Sequence, residues 1–402
     1  MMRRLPADRP RPDRMRKQHR LAATTVIILA GIFAILAGFY FFFVSSIGVA
    51  HTRGTACYFS LLFTKNDGMP SGAFIGAFGP AAGRIGMVSI PDSMGIWDPH
   101  TKQLRTMPEW YRRGGHALVF DAVSHTFRMP LHYKIVVTEK NLSEIVDLMG
   151  GVRAFVDVDL APSITNIRPF PPGVYLLDGA RAVRYINAVQ GENVSRERMY
   201  RLEDIVINLF TVLAQEETMR SIFSSVPFKF ALSLRVRGNI RPVDYNAFAK
   251  AATNFSADSL IVETMSGEEA DTMLTPVLGG RHAVKTAKDI ITRVKKPRGM
   301  ESPMRSDVKL SVHNATEIDG LADRIKIRMN YRGFQANEYG NFGARSRRTF
   351  VLVRNGELPK GFLVAEAART ALICARTDRR LLVDASLVLG DDYYEIAKII
   401  AK

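Results

Sequence analysis

The pattern of hydrophobic and polar residues changes its period repeatedly along the chain, and each change predicts a strand or a helix. Strand-like runs cover residues 56–64, 71–78 and 84–90, and the turn Gly79-Pro80-Ala81-Ala82-Gly83 joins the last two as a hairpin. The pattern then predicts a helix from Gly114-Gly115 to Phe127, strand 133–137, helix 141–149, strand 152–158, helices 217–223 and 244–253, strand 259–264 and helix 286–294. This order of elements indicates a layered α/β domain.

The stretch from Leu177 to Leu213 predicts a short helix, a polar loop and a long amphipathic helix. In the long helix six apolar residues recur at three- and four-residue steps, which indicates one buried stripe: Leu202, Ile205, Val206, Leu209, Val212 and Leu213. Ser195 is the predicted N-cap. Arg198 and Arg201 lie on or beside the stripe in the first turns, where a cation opposes the helix macrodipole.

Two interpretations of these arginines stay open from the residues alone. An anionic ligand at this helix end would satisfy both guanidinium groups together with the free backbone N–H groups. Alternatively, the arginines pair with a carboxylate of the protein, such as Asp178 or Glu197, or extend to solvent.

A second unit is predicted after residue 306. Residues 295–306 combine Pro, Gly and charge without periodicity, so we interpret them as a linker. The following residues predict strand 308–313, helix 319–331, strand 349–353, helix 362–374 and strand 381–389. The sequence therefore predicts a smaller α/β domain over residues 307–393, after a first domain over residues 56–294.

Residues 21–50 form an uncharged apolar run, longer than the roughly 20 residues needed to span a bilayer. The preceding residues 1–20 carry eight lysines and arginines against two aspartates, which predicts a cytoplasmic tail and an extracytoplasmic location for everything after residue 50. The aromatic cluster Phe39–Phe43 favours a retained signal anchor over a cleaved signal peptide. The sequence thus predicts a single-pass protein of the cell (inner) membrane.

Composition narrows the choice of partners. The formal charge of +16 suggests an anionic partner, which is a lipid, a nucleic acid or a glycopolymer. Membrane topology and attraction to anionic lipid are enough to explain the positive charge of residues 1–20. The predicted anchor also places both domains on the opposite side of the membrane from DNA, so no nucleic-acid partner is predicted. Cys57 and Cys374 are too few for a disulfide framework, and we expect two unlinked thiols, with a long-range bridge as the alternative. The histidines lack metal-ligand spacing, so no metal ligands are assigned.

Short matches in a shared order carry a resemblance to a known family. In the first domain they are Ser89-Ile90-Pro91, Gly114-Gly115, Pro130 with Tyr133, Val146-Asp147 followed by Gly150-Gly151-Val152, Leu177-Asp178-Gly179 with Ala182 and Tyr185, and Arg198-Met199-Tyr200-Arg201. After a single signal anchor, these pieces resemble the LytR-CpsA-Psr family of membrane-anchored envelope proteins. Residues 307–393 are similar to the C-terminal domain often found in that family, through Val312–Thr316, Gly320–Ala322, Arg332–Phe334 and Val388–Tyr393.

The resemblance implies a fold, a reaction and a set of partners. It implies a central sheet with helices on both faces and an apolar pocket that holds a prenyl chain. Family members transfer a phosphoglycopolymer, such as wall teichoic acid or a capsule, from a polyprenyl-pyrophosphate carrier to peptidoglycan. Arginines bind the pyrophosphate, and acidic residues hold a magnesium ion. The expected partners are therefore the membrane, a polyprenyl (pyro)phosphate lipid, and peptidoglycan or another anionic glycopolymer.

The chain departs from the family pattern at positions that carry this chemistry. Ser71-Gly72 stands where the family has Ser-Asp, and Asp92-Ser93 stands where it has Arg-Asp. Two family arginines are replaced by Asn187 and Val189, and a glutamine by Leu202. The remaining candidates are Asp92 as the catalytic carboxylate, and Arg198 and Arg201 as phosphate ligands.

Three hypotheses for function follow. Losing one donor to the transition state costs about 3 kcal/mol, so several losses together predict a pseudoenzyme that binds lipid-linked glycan or peptidoglycan. No cofactor is assigned, and Mg²⁺ is implied only for an active protein. The alternative is an active phosphotransferase that uses Asp92 and relocated arginines: Arg84, Arg105, Arg112, Arg113, Arg181 or Arg184. A transcription attenuator, suggested by the family's historical name, conflicts with the predicted anchor.

Overall fold

The computed structural model describes residues 45–98, 103–156, 172–189, 194–215, 221–222, 224–265, 267–270, 273–276, 280–300, 302–378 and 381–393. The predicted tail, residues 21–44 of the predicted anchor and most of the predicted helix 217–223 lie outside these ranges. Among the described residues, no helix has the length and apolar character needed to cross a membrane.

The part before residue 300 alternates strands and helices. Its helices are α1 Ser46–Arg53, α2 Met107–Phe127, α3 Glu139–Leu148, α4 Gly179–Asn187, α5 Val194–Gln215, α6 Val226–Ser233, α7 Pro242–Ala252 and α8 Gly280–Lys295. Its strands are β1 Cys57–Thr64, β2 Pro70–Gly79, β3 Arg84–Pro91, β4 Ile96–Trp97, β5 Leu104–Arg105, β6 Tyr133–Thr138, β7 Val152–Val156, β8 Gly173–Leu177, β9 Arg237–Gly238, β10 Leu260–Thr264, β11 Gly267–Ala270 and β12 Met273–Pro276. The predicted mixed α/β fold is confirmed.

A six-stranded mixed sheet forms the centre of this part, in the order β10-β3-β2-β1-β6-β9. Strands β1, β2 and β3 are antiparallel, whereas β6 and β10 run parallel to β1 and β3. Since side chains alternate across a strand, successive residues supply two different cores. Phe74 and Met87 belong to the core that includes α4 and α5, and Ile75 and Val88 belong to the core that includes α2 and α8. Helices therefore lie on both faces of the sheet.

Helix α2 differs from the prediction. The sequence predicts that Gly114-Gly115 opens this helix, but α2 begins seven residues earlier, at Met107. Both glycines have non-helical dihedral angles, and Gly115 has φ +67°. The glycines therefore kink a longer helix, because only glycine adopts such an angle without strain.

The N-terminal end of the described chain packs onto the first domain. Ser45 caps α1 and its Oγ donates a 2.8 Å hydrogen bond to Oδ1 of Asp244, at the start of α7. Ile47 is buried in the core between the sheet and the helices. The last six residues of the predicted 21–50 span thus pack against protein.

Helix α5 is more deeply buried than its pattern predicts. The apolar stripe Leu202, Ile205 and Leu213 is buried, but so are four polar residues on other sides of the helix: Glu203, Asp204, Asn208 and Thr211. The prediction of one buried stripe is therefore wrong, because α5 contacts the sheet on one side and the C-terminal unit on another.

The C-terminal unit is a five-stranded sheet in the order β14-β13-β17-β15-β16 with two helices. Its elements are β13 Lys309–Asn314, α9 Leu321–Tyr331, β14 Gln335–Asn341, β15 Phe350–Val353, α10 Leu358–Ala368, β16 Ile373–Ala375 and β17 Ala385–Leu389. The predicted helix 362–374 is wrong at both ends: α10 begins at Leu358 and ends at Ala368, where Arg369 (φ +52°) is the C-cap and the chain then continues into β16. Both cysteines are free and buried, so the prediction of unlinked thiols is confirmed.

Candidate ligand-binding site

Asp92 and Arg198 meet where β3 ends and α5 begins. Nη1 of Arg198 lies 3.9 Å from Oδ2 of Asp92, and the two side chains are 14% and 15% exposed. Ser195 does not cap the helix as predicted; it lies within α5, where its Oγ donates to Asp92 and accepts a 3.1 Å bond from the Ser93 N–H. Nε of Arg198 is buried without a hydrogen-bond partner in the described part of the chain. Arg198 therefore has a buried donor that no described protein group satisfies.

Arg201 lies one turn further on and is held by protein groups. Its Nη1 donates to the carbonyl oxygens of Tyr185 (3.0 Å) and Ala188 (2.6 Å), and its Nε is 3.5 Å from Glu197. The side chain is 3% exposed and its guanidinium carbon lies 5.2 Å from the Tyr185 ring centroid. It thus binds carbonyl groups that the C-terminal end of α4 leaves free. The two arginines do not converge on one point, and phosphate binding by Arg201 stays a prediction.

Gly72 occupies the place of an expected aspartate, and the side chain of Met199 fills the adjacent space. Its φ of +150° disfavours any other residue, and an added Cβ would lie 2.6 Å from Sδ of Met199. Met199 is fully buried on the facing side of α5. A carboxylate at this position would have to displace the methionine sulfur.

The acidic residues near α5 are engaged by protein. Oε2 of Glu203 accepts 2.8 Å hydrogen bonds from Ser89 and Thr264, and the side chain is completely buried. In the part of the chain that the structure describes, no group of three or more His, Cys, Asp or Glu side chains is arranged to hold a metal ion. With methionine in the space of the missing aspartate and Asp92 bound to Arg198, the residues present do not fit the magnesium ion that the family resemblance implies.

An apolar cavity of about 340 Å³ lies between the sheet and helices α3, α5, α6 and α7. Alternate residues of β1 line it, from Cys57 to Phe63, a span of roughly 20 Å at the rise of a strand. The wall from α5 begins at Val206, about 12 Å along the helix axis from Arg198. The arginines therefore do not line the cavity, although Phe63 pairs with Gly72, next to Met199.

Most of the arginines considered as substitutes lie elsewhere or are occupied. Arg84 begins β3, at the end opposite Asp92, and donates 3.2 Å bonds to the carbonyl oxygens of Asp258 and Arg293. Arg105 pairs with Asp98 at 3.4 Å. The other four are exposed: Arg112, Arg113, Arg181 and Arg184. In these positions they supply no buried replacement for the missing family arginines.

No sequence pattern indicates the buried contact that the structure places between the two domains. Arg376, which follows β16, donates to Glu197 at 2.9 Å, and the same carboxylate reaches Arg201. Asp204 accepts bonds from the N–H (2.7 Å) and Oγ1 (2.9 Å) of Thr377. Burial raises the pKa of Asp204 to about 7, with the Arg376 charge and the Thr377 hydrogen bonds opposing the rise. The start of α5 is thus tied directly to the C-terminal domain.

The fold and the site together define a two-domain α/β protein with an apolar cavity under its main sheet and a cationic helix end beyond it. The LytR-CpsA-Psr family model matches residues 73–289, so the chain belongs to that family. A second model, described as LytR cell envelope-related transcriptional attenuator, matches residues 307–393. A sequence search of curated proteins finds no match.

Solved structures resemble part of this chain. TagV of B. subtilis superimposes with a TM-score of 0.51 at 16% identity, covering 60% of this chain and 98% of that one. The protein gbs0355 of Streptococcus agalactiae gives 0.50 at 15% identity, covering 62% and 92%. These likenesses support the fold.

Proposed function

We propose that the protein is a single-pass, extracytoplasmic protein of the cell envelope that binds polyprenyl-phosphate-linked glycan or peptidoglycan, with little or no transferase activity. The observation that carries the proposal is the apolar cavity of about 340 Å³. Pockets of roughly 300–1,000 Å³ are typical of small-ligand sites. A prenyl chain is apolar and extended, and it matches a cavity that follows the length of β1.

The proposal places the membrane anchor in residues 21–44, directly before the described residues and α1. Residues 21–44 form an uncharged run of 24 residues, above the roughly 20 that a bilayer requires. Ile47, three residues after this run, lines the cavity. The Ile47 end of the cavity then lies beside the proposed anchor, where a lipid leaves the bilayer, and the Phe63 end lies toward the Asp92–Arg198 pair.

The loss of catalysis rests on the groups around Arg198. The family's acid at position 72 is replaced by glycine, and the sulfur of Met199 fills the adjacent space. Asp92 is already bound by Arg198 and Ser195. Removing a single preorganised donor or charge at a transition state costs about 3 kcal/mol. Arg198 remains as a cation that can bind a phosphate, but the site lacks the charges expected to stabilise phosphoryl transfer.

Binding of a polyprenyl phosphate to the full chain in neutral nanodiscs tests the proposal. We expect saturable binding that is stronger than that of the matching polyprenol, because Arg198 supplies a charge-assisted hydrogen bond to the phosphate. Arg198→Gln should weaken binding by about tenfold or more. Lys288→Gln, at an exposed position on α8, is the control and should leave it unchanged.

Two results would contradict the proposal. If polyprenyl phosphate and the matching polyprenol bind with equal affinity, Arg198 does not bind the phosphate. Metal-dependent transfer of glycan from a polyprenyl carrier to peptidoglycan would establish the alternative, an active phosphotransferase. In that case Asp92→Ala and Arg198→Ala should each abolish transfer.

A further inference from the structure

A basic groove of about 600 Å³ lies between the two domains, away from the apolar cavity. The hairpin β7–β8 forms one wall, with Arg153, Tyr175 and Leu176. The segment before β15 forms the other, with Phe342 and the arginines at 345, 347 and 348. No carboxylate is among the described residues that line it.

The groove has uncompensated positive charge. Among the described residues, Arg153, Arg347 and Arg348 make no side-chain hydrogen bond or ion pair, whereas Arg345 pairs with Glu317 and, at 3.3 Å, with Asp391. Arg347 and Arg348 are exposed and Arg153 is half-buried. Three like charges in one concavity repel one another, and a concave wall of one sign concentrates counter-ions. The arrangement favours a ligand that carries several negative charges.

The floor of the groove is apolar and well packed. Phe342 and Phe350 line the groove, and the buried ring of Phe155 packs against both; the three rings lie 5.7–6.0 Å apart, at distances typical of favourable aromatic pairs. Phe155 comes from β7 and the other two from the C-terminal unit, so the groove requires both domains in their docked positions. Leu176 adds an apolar side chain that is 60% exposed. The ligand should therefore present apolar surface as well as charge.

We propose that this groove binds a segment of an acidic polysaccharide. Guanidinium forks match carboxylates and phosphates equally well in geometry, so the anionic groups are either of these. The faces of sugar rings carry C–H groups that pack on Tyr175, Leu176 and Phe342. The choice of a glycan over a nucleic acid rests on the extracytoplasmic location in the proposed function, but the site is separate from the Arg198 site.

The test measures binding of fluorescent oligomers to the full chain in a nonionic detergent. An oligogalacturonate supplies carboxylates, an oligo(glycerol phosphate) supplies phosphates, and a cello-oligosaccharide of equal length supplies neutral sugar. We expect one or both anionic oligomers to bind, with affinity that falls as salt is raised, and the neutral oligomer not to bind. The anionic oligomer that binds with higher affinity shows whether carboxylates or phosphates supply the charge of the natural ligand.

A pair of matched double variants locates the site. The R347Q/R348Q variant removes two exposed cations from the groove and should weaken binding about tenfold or more. The K285Q/K288Q variant removes two exposed cations from a different groove beside Trp97 and should leave binding unchanged. Equal losses in both variants, equal binding of the neutral oligomer, or tighter binding of an oligodeoxynucleotide would overturn the proposal. Unchanged polyprenyl phosphate binding in R347Q/R348Q would keep this result distinct from the function proposed above.

Discussion

Asp204 should make the stability of the protein fall as the pH rises through neutrality. This carboxylate is completely buried between the domains. It accepts hydrogen bonds from Thr377 and, at 3.0 Å, from the Tyr185 hydroxyl, and it lies 3.6 Å from the Arg376 guanidinium. Asp204→Asn keeps the shape and most of the hydrogen-bonding capacity but removes the titrating group.

The magnitude follows from the pKa. Burial raises the pKa of Asp204 from 3.8 to about 7. Because the folded state holds the proton more tightly, the stabilisation is fully present below the unfolded value and is lost as the pH rises through about 7. The difference corresponds to roughly 4 kcal/mol in all, at about 1.4 kcal/mol for each pKa unit. Between pH ~5.5 and ~8 the loss is about 2 kcal/mol.

Chemical denaturation of the full chain at those two pH values measures the effect. The free energy of unfolding should fall with pH by about 2 kcal/mol more in the wild type than in Asp204→Asn. Asp289→Asn, at an exposed position on α8, is the control and should behave as the wild type does. If Asp204→Asn shows the same pH dependence as the wild type, the assignment of this titration to Asp204 is wrong.

Three further predictions concern the packing of the two domains and the cavity. Arg376→Met leaves the buried Asp204 and the partly exposed Glu197 without their shared cation and should lower the free energy of unfolding by about 3 kcal/mol; a loss below 1 kcal/mol in urea denaturation would contradict this. Burial raises the pKa of Cys57 to about 11 and that of Cys374 to about 12, so both thiols should react slowly with maleimide. Of the two, only Cys57 lines the cavity, so bound polyprenyl phosphate should slow the labelling of Cys57 further. If mass spectrometry shows the same labelling of Cys57 with and without the lipid, the lipid does not occupy the cavity. Gly179→Ala brings a methyl carbon to 1.9 Å from the Ser143 carbonyl oxygen and should lower the melting temperature, with a cost of about 2 kcal/mol; an unchanged melting temperature would show that α4 shifts freely.

The elements that the sequence predicts best are those with local determinants. Strands β1, β2 and β3 begin and end within one residue of the predicted bounds. Their strand-like composition and the glycine-proline turn between β2 and β3 depend on neighbouring residues only. The free cysteines also follow from composition.

The sequence predicts less well those features that do not follow from the local pattern, such as the end of α10 and the burial of polar residues on α5. The apolar pattern of residues 362–374 continues through Arg369, and only its left-handed dihedral angle ends the helix. In α5, Asn208 looks like a surface residue, yet it exchanges hydrogen bonds with the backbone of Ala375 at 2.6 Å and 3.3 Å. Such a role requires a partner more than 160 residues away, which no local period reveals.

The candidate site likewise has features that the sequence predicts and features that only the folded structure shows. Glycine at position 72 shows in the sequence that an acid is missing, but the filling of its space by Met199 is a tertiary fact. Arg198 was found from its place on the helix. Glu197 was considered only as a partner for the arginines, and its second contact with Arg376 depends on the docked C-terminal domain.

The contact with the C-terminal domain explains why Arg198 and Arg201, in the first turns of α5, have different roles. Glu197 joins Arg201 to Arg376, so a cation that the resemblance assigns to a ligand also forms part of the contact between the domains. Arg198 points to the other side, toward Asp92, and its buried Nε has no hydrogen-bond partner among the described residues. A helix end held rigidly by a second domain suits recognition of a fixed anion, because little side-chain entropy is then lost on binding. The sulfur of Met199 also fills the space beside Gly72, so restoring an aspartate at position 72 alone should not restore catalysis.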